Sequence, residues 1–238
     1  MSFDIPPARM LAVKAAKLTF DPSPHPYEAL HCVEIDANWR REIAANPALF
    51  DGRVMLFSSI IWRDDMLEAT CHSGNFASFM HWRLTRTSPL MRHMFAHAML
   101  VAADGSLVAV RMGAHTANAG RVYFAAGSFD DDDLIGGEID IDSNMRREVL
   151  EETGIDINGL RSDAVRHAFC SPAGTVIVRR YFLPWDHDEI ARRVRAHIGR
   201  DEEPEIEDVV FICRGEPLPD NLAQYMPALI DWHFSRQD

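Results

Sequence analysis

No run of more than two consecutive lysine or arginine residues occurs in the chain, and its formal charge is -12, from 24 basic and 36 acidic side chains. That excludes the basic footprint needed to hold a nucleic-acid duplex or a long single strand. There is no secretory hydrophobic core segment, and no apolar run of roughly 18 residues of the kind that spans a bilayer. Cysteine is scarce: Cys32, Cys71, Cys170 and Cys213 are scattered, without the paired spacing of a metal site. The expectation is a protein of the reducing cytoplasm, with neither a membrane nor a nucleic-acid polymer as partner. The histidines, His115 and His167 among them, show no H-x-x-H or H-E-x-x-H spacing, so no zinc site is expected.

What is present is ordinary globular material. Hydrophobic residues make up 47% and charged residues 25% of 238 positions. That length suits one large domain, or a catalytic domain with an added lobe. A negative chain can still take a small phosphorylated substrate, because a bound metal inverts the sign of a local acidic site.

The stretch Met145-Arg146-Arg147-Glu148-Val149-Leu150-Glu151-Glu152-Thr153-Gly154-Ile155 carries the chemistry. Read as a helix, it sets Glu148 and Glu152 one turn apart with Glu151 beside them, so three carboxylates share a face. Their mutual repulsion destabilises the helix modestly, and a hard divalent cation relieves it. Gly154, free to take a positive φ, stops the helix.

Arg147, Glu148, Val149, Glu151, Glu152, Gly154 and Ile155 resemble the second half of the Nudix hydrolase motif, R-E-U-x-E-E-x-G-U. The first half departs from the pattern. Gly127 is similar to the opening glycine, but the usual motif glutamate position holds Ile139, with Glu138 one residue early and Asp140 one late. The resemblance covers roughly residues 94–238. It implies an α/β/α sandwich with a mixed sheet, here preceded by a small α+β amino-terminal lobe. The expected division is residues 1–92 for the lobe, packed on the catalytic domain, and 93–238 for the Nudix domain.

The same resemblance implies metal-dependent attack of water on a diphosphate phosphorus. Glu148, Glu151 and Glu152 would ligate Mg²⁺, or Mn²⁺. Arg147 would point away from the ligand face and pair with a loop carboxylate, Glu138 or Asp140. Either a motif glutamate, Glu151 or Glu152, or a later one would serve as general base. The later acidic segment offers Glu203, Glu205 and Glu207, and reads equally as a solvated linker. Arg111, ending a hairpin strand, and Gly127 are candidates for the substrate. That substrate would be a nucleoside diphosphate linked to a further group. The amino-terminal lobe and the 46–51 stretch are similar to the UDP-sugar-hydrolysing branch, so UDP-sugars lead over ADP-ribose or NADH. Phe50, Trp62, Tyr123 and Phe129 could stack on a base or sugar and read more readily as core. A catalytically silent nucleotide-binding protein or regulator is the alternative, and a homodimer is left open.

Along the chain, residues 10–20 read as one edge strand and 27–45 as a helix with Leu30, Val33, Trp39 and Ile43 on its apolar stripe. Strands are expected at 53–62, 67–72 and 76–82. Asp104-Gly105 joins strands 93–102 and 107–111 as a hairpin, and 122–126 is a further strand. Asp130 to Asp133 read as a solvated loop. The carboxylate helix is expected over 144–153, with Asp142 or Ser143 as its cap. Strands at 163–170, 174–183 and 209–213 and helices at 188–198 and 222–234 complete the chain.

Overall fold

The computed structural model describes residues 2–86 and 88–236. Mixed sheets with helices make up an α/β fold, as expected from the sequence. The chain forms two compact units that do not follow it as consecutive blocks. One comprises Met1–Ala96, Ser128–Ile141 and His167–Ile177; the other comprises His97–Gly127, Asp142–Arg166 and Val178–Asp238.

In the first unit, six strands form a mixed sheet in the order β1 (Phe3–Asp4), β4 (Arg53–Arg63), β5 (Met66–Asn75), β3 (Ala15–Phe20), β10 (Glu138–Ile139), β9 (Leu134–Ile135). The expected single strand over 10–20 is two, β2 (Met10–Val13) and β3, interrupted at Lys14, whose N–H bonds the Asp65 carbonyl at 2.8 Å. Nor is β3 an edge: it pairs with β5 in parallel and with β10 antiparallel.

Helix α1 (Pro26–Ala45) begins at the proline-rich turn. His25 caps it, its Nδ1 accepting the Tyr27 N–H at 3.1 Å. Burial, then His72 nearby, pushes the His25 imidazole down to about 4, so it stays neutral and able to accept. The helix is where the sequence puts it, but the buried face differs. Tyr27, Ile35 and Asn38 are buried, while Leu30 is 63% and Val33 73% exposed. The core on that side is Val54, Leu56, Ala77, Trp82 and Met91, with Trp39 packed against it.

The expected strand over 76–82 is helix α2 (Phe76–Thr85). Alternation of Phe76, Ser78, Met80 and Trp82 fits period two as well as a short helix, and distant carboxylates decide between them. Asp51 Oδ1 accepts the Ala77 N–H at 2.7 Å, and Glu28 Oε1 accepts from the Asn75 N–H at 2.8 Å and the Ser78 hydroxyl at 2.7 Å. These satisfy first-turn donors that a helix otherwise leaves open.

The four aspartates are not simply a solvated loop. Asp131–Asp133 form a 3₁₀ turn capped by Asp130, whose carboxylate accepts the Asp132 N–H at 2.9 Å. Asp133 is 1% exposed, and its Oδ2 accepts the Asp130 N–H at 3.1 Å. Phe129 is core, edge-on to Phe57, whereas Phe50 is 82% exposed.

In the second unit the hairpin holds as expected: β6 (Met94–Val101) and β7 (Leu107–Met112) pair in the register Leu100↔Val108, with Gly105 at φ +86° in the turn. β7 also pairs with β8 (Val122–Tyr123) and, along its length, with β14 (Ile206–Ile212). β11 (Arg161–Ser162) pairs with β13 (Gly174–Phe182), an interior strand as its apolar run implies, whereas β12 (Arg166–Ser171) belongs almost wholly to the first unit. Helix α4 (His187–Ile198) is capped by Asp186 on the Glu189 N–H at 2.9 Å and buries Ile190 and Val194. Helix α5 is Met226–Ser235.

Helix α3 (Ile141–Thr153) starts before Asn144, so Asp142 and Ser143 sit within its first turn instead of capping it. Asp142 is occupied elsewhere. Arg166 grips its carboxylate through two bonds, of 3.0 and 2.5 Å, and Arg179 adds a third at 3.0 Å.

Candidate active site

Helix α3 buries Met145 and Val149, which leaves the carboxylates of the next stripe at the edge of the core. Its end is fixed by Gly154 at φ +69°, whose N–H bonds the Leu150 carbonyl at 2.9 Å. His197 of α4 covers that end: its Nε2 is 2.8 Å from the Glu151 carbonyl oxygen, and a Cβ on Gly154 would meet the ring at 2.7 Å. Gly154 is therefore required twice, for its dihedral and for its missing side chain.

The three glutamates of the motif differ in surroundings. Glu148 is 8% and Glu152 6% exposed, whereas Glu151 is exposed. Gly127 lies against Glu148 so closely that a Cβ there would stand 2.3 Å from Oε1 and 2.4 Å from Oε2. Gly127 thus leaves the space that the Glu148 carboxylate fills. Glu152 Oε2 is buried and without a hydrogen-bond partner. Burial, then the charges of Glu148 and Glu205, raises the Glu152 carboxyl well above the usual range, against one lowering contact with the Ala126 backbone.

Arg147 does not turn away from this face as expected. Its guanidinium is 2.7 Å from Glu148 Oε1 and 3.2 Å from Glu151 Oε2. Glu138 lies in β10 and faces Lys17 at 3.8 Å. Asp140 precedes α3, its N–H bonding the Asp133 carbonyl at 2.9 Å.

Of the later acidic residues, Glu205 is the one whose charge reaches Glu152. Its carbonyl accepts the Gly113 N–H at 2.8 Å, which ties the segment to the end of β7. Glu203, Glu205 and Glu207 are all exposed, and the Glu203 N–H bonds the Asp201 side chain at 3.0 Å. Arg111 donates to the Gly120 carbonyl at 3.4 Å and sits opposite Asp208 on β14.

Two residues near the carboxylates carry no sequence signal. Tyr225 is buried with its hydroxyl 2.9 Å from His97 Nε2, across 128 positions of sequence. Burial, then Tyr123 and Glu152, pushes the Tyr225 phenol well up. Burial holds His97 down at about 3, so the ring is neutral and can accept a hydrogen bond from the phenol hydroxyl. Tyr123, 6% exposed, belongs to this cluster with its ring 6.0 Å from that of His97, and is not an open stacking platform.

The donor set has the chemistry of a hard cation site: carboxylate oxygens, one of them buried and unbonded, whose mutual repulsion a divalent ion would remove. Among the described residues, however, no group of three or more His, Cys, Asp or Glu is arranged to hold a metal as it stands. Arg147 occupies part of that charge balance.

No protein-family model matches the chain, and no curated protein matches it. Solved structures do. The chain is similar to a MutT protein from Methanosarcina mazei Go1, with 17% identity over 60% of this chain and 93% of that one and a TM-score of 0.40. It is similar to the Nudix domain of Shewanella oneidensis NrtR, solved with ADP ribose, with 13% identity over 60% and 87% of the two chains and a TM-score of 0.39. It is also similar to a bifunctional NMN adenylyltransferase/ADP ribose pyrophosphatase from Francisella tularensis, solved with AMP and manganese. There the identity is 16% over 64% of this chain and 44% of that one, with a TM-score of 0.41. At such values the residues of α3 carry the functional reading.

Proposed function

We propose that this chain is a Nudix-type hydrolase that cleaves the diphosphate bond of a nucleoside diphosphate linked to another moiety, of the UDP-sugar or ADP-ribose type. The observation that carries the reading is the buried, unbonded Oε2 of Glu152, facing the charges of Glu148 and Glu205 at the end of the R-E-U-x-E-E-x-G-U helix. Such a group is costly to ionise alone and is matched to a divalent cation.

In this reading Glu148, Glu151 and Glu152 would hold Mg²⁺ or Mn²⁺. The bound ion would lower the pKa of water and neutralise phosphoryl oxygens. Glu205 takes the proton from the attacking water, the reach of its charge to Glu152 favouring it over Glu203. Gly127 leaves room for the Glu148 carboxylate, and Arg147 holds Glu148 and Glu151 until the cation replaces it. Arg111 is proposed to meet the substrate, and residues 93–238 to form the catalytic domain, with 1–92 as the added lobe. The test is turnover of UDP-glucose, UDP-galactose, ADP-ribose and NADH, each with Mg²⁺ or Mn²⁺ and then with chelator. The reading requires turnover of at least one that chelator abolishes.

One observation favours a second reading. The Arg147 ion pairs to Glu148 and Glu151 already offset part of the charge of the carboxylate face, as a catalytically silent nucleotide-binding protein would tolerate. Nucleotide binding by calorimetry without turnover, unchanged by Glu152→Gln, would select it.

A further inference from the structure

In the first unit α1 and α2 pack together, and three rings meet along their seam. Tyr27 and His31 come from the start of α1 and His81 from α2. Ring centroids are 4.5 Å apart for Tyr27 and His31, 5.9 Å for Tyr27 and His81, and 5.7 Å for His31 and His81. The Tyr27 hydroxyl is 2.9 Å from His81 Nδ1. At His31 the helix is broken, with φ -120° and ψ 21°. Neither proline nor glycine stands there to explain the kink.

Two imidazoles on separate helices at this spacing suit a tetrahedral ion. With each nitrogen about 2.0–2.1 Å from the metal, the two ring centroids fall about 5–5.5 Å apart, close to the 5.7 Å observed. His81 is suitably prepared. Tyr27 engages Nδ1, which leaves Nε2 as the ligating nitrogen, and an outer hydrogen bond of this kind fixes the tautomer of a metal-bound histidine. Burial, then His31, lowers the His81 imidazole, so its lone pair is available at neutral pH. Glu34, one turn beyond His31, is exposed and acts electrostatically on both Tyr27 and His81. Arg41 also acts on His81, in the opposite sense to Glu34.

We propose that His31 and His81 form a second metal site, which takes a divalent transition ion of imidazole preference, Zn²⁺ or Ni²⁺, and ties α1 to α2. No three such side chains already surround a common point among the described residues, so water, or Glu34 turned inward, completes the shell. The ion class follows from the donors: imidazole nitrogen selects Zn²⁺ and Ni²⁺, and carboxylate oxygen alone selects Mg²⁺. The inference does not depend on the hydrolase reading.

The experiment is calorimetric titration of untagged, chelator-stripped full chain with Zn²⁺, together with the visible spectrum of Co²⁺ as a report on tetrahedral nitrogen ligation. The expected result is a site weakened at least tenfold in His31→Asn and in His81→Asn and retained in Glu152→Gln and Cys32→Ser. Circular dichroism melts identify any variant that fails to fold; if His81→Asn does, His31→Asn and His31→Gln decide. Zn²⁺ binding of undiminished strength in folded histidine variants overturns the proposal. So does loss of the site in Cys32→Ser or Glu152→Gln, or no Zn²⁺ binding in the wild type.

Discussion

Gly127→Ala gives the sharpest test of how the carboxylate face is built. The added Cβ would stand 2.3 Å from Glu148 Oε1, about 1 Å inside ordinary contact. Something must yield, and the softest element is the far end of the Glu148 side chain. Overpacking relieved in that way costs stability toward the low end, about 1 kcal/mol, or roughly 2–4 °C in melting temperature for a chain of this size. Turnover should suffer far more. A 1 Å displacement of a group that positions reacting atoms costs about 100-fold, equivalent to about 2.7 kcal/mol of barrier. The assay is kcat/KM for the best nucleotide substrate, with a circular dichroism melt in parallel. On a Glu148→Gln background the same change should add little, because both act on one group. Wild-type turnover in Gly127→Ala would refute the placement of Glu148 in the reaction. A large fall in melting temperature would show that backbone, not Glu148, gives way.

Further outcomes follow from the same geometry. Glu152→Gln should raise the melting temperature of metal-free protein at pH 7 while reducing turnover by about 100-fold or more, as loss of a transition-state contact does; equal stability and activity would refute it. Because folding raises the Glu152 pKa, its contribution is fully present below the ordinary value of 4.5 and is lost as pH rises through the higher folded value. Metal-free wild type should therefore lose stability relative to Glu152→Gln across that window in urea titrations. Among the late acidic residues, Glu205→Gln should cost about 10²–10⁴ in kcat and Glu203→Gln or Glu207→Gln less than about threefold; three equal losses would reject Glu205 as base. At Asp142, burial works to raise the carboxyl, but Arg166 and then Arg179 outweigh it and leave the pKa below 3.8. Its stabilisation is present above 3.8 and lost as pH falls through the depressed value, and Asp142→Asn should cost about 2 kcal/mol at pH 7, read as a shift in the denaturant midpoint.

Local signals made much of this molecule legible. The Asp104-Gly105 hairpin, the apolar run of β13 and the ends of α1 rest on neighbouring residues, so a short window contains their causes. The carboxylate helix was readable for the same reason, since Glu148, Glu151 and Glu152 are placed by helical spacing alone. Where the reading failed, the deciding groups lie far away. α2 is a helix because Asp51 and Glu28 satisfy its first turn. Leu30 and Val33 face solvent because the core stands on the other side of α1. Asp142 reads as a cap in the local sequence because Arg166 and Arg179, which bind it, come from later strands. Arg147 reaches Glu148 and Glu151 rather than turning outward, which the motif does not convey. The pairing of His97 with Tyr225 spans 128 positions and leaves no local trace.

The most direct measurement is product release from ADP-ribose, NADH, UDP-glucose, UDP-galactose, dinucleoside polyphosphates and nucleoside triphosphates, with Mg²⁺ or Mn²⁺, for wild type and Glu152→Gln side by side. The account predicts that wild type hydrolyses at least one nucleoside diphosphate derivative in a metal-dependent way and that Glu152→Gln does not. No turnover of any of them by wild type, with divalent metal shown to bind, would contradict it.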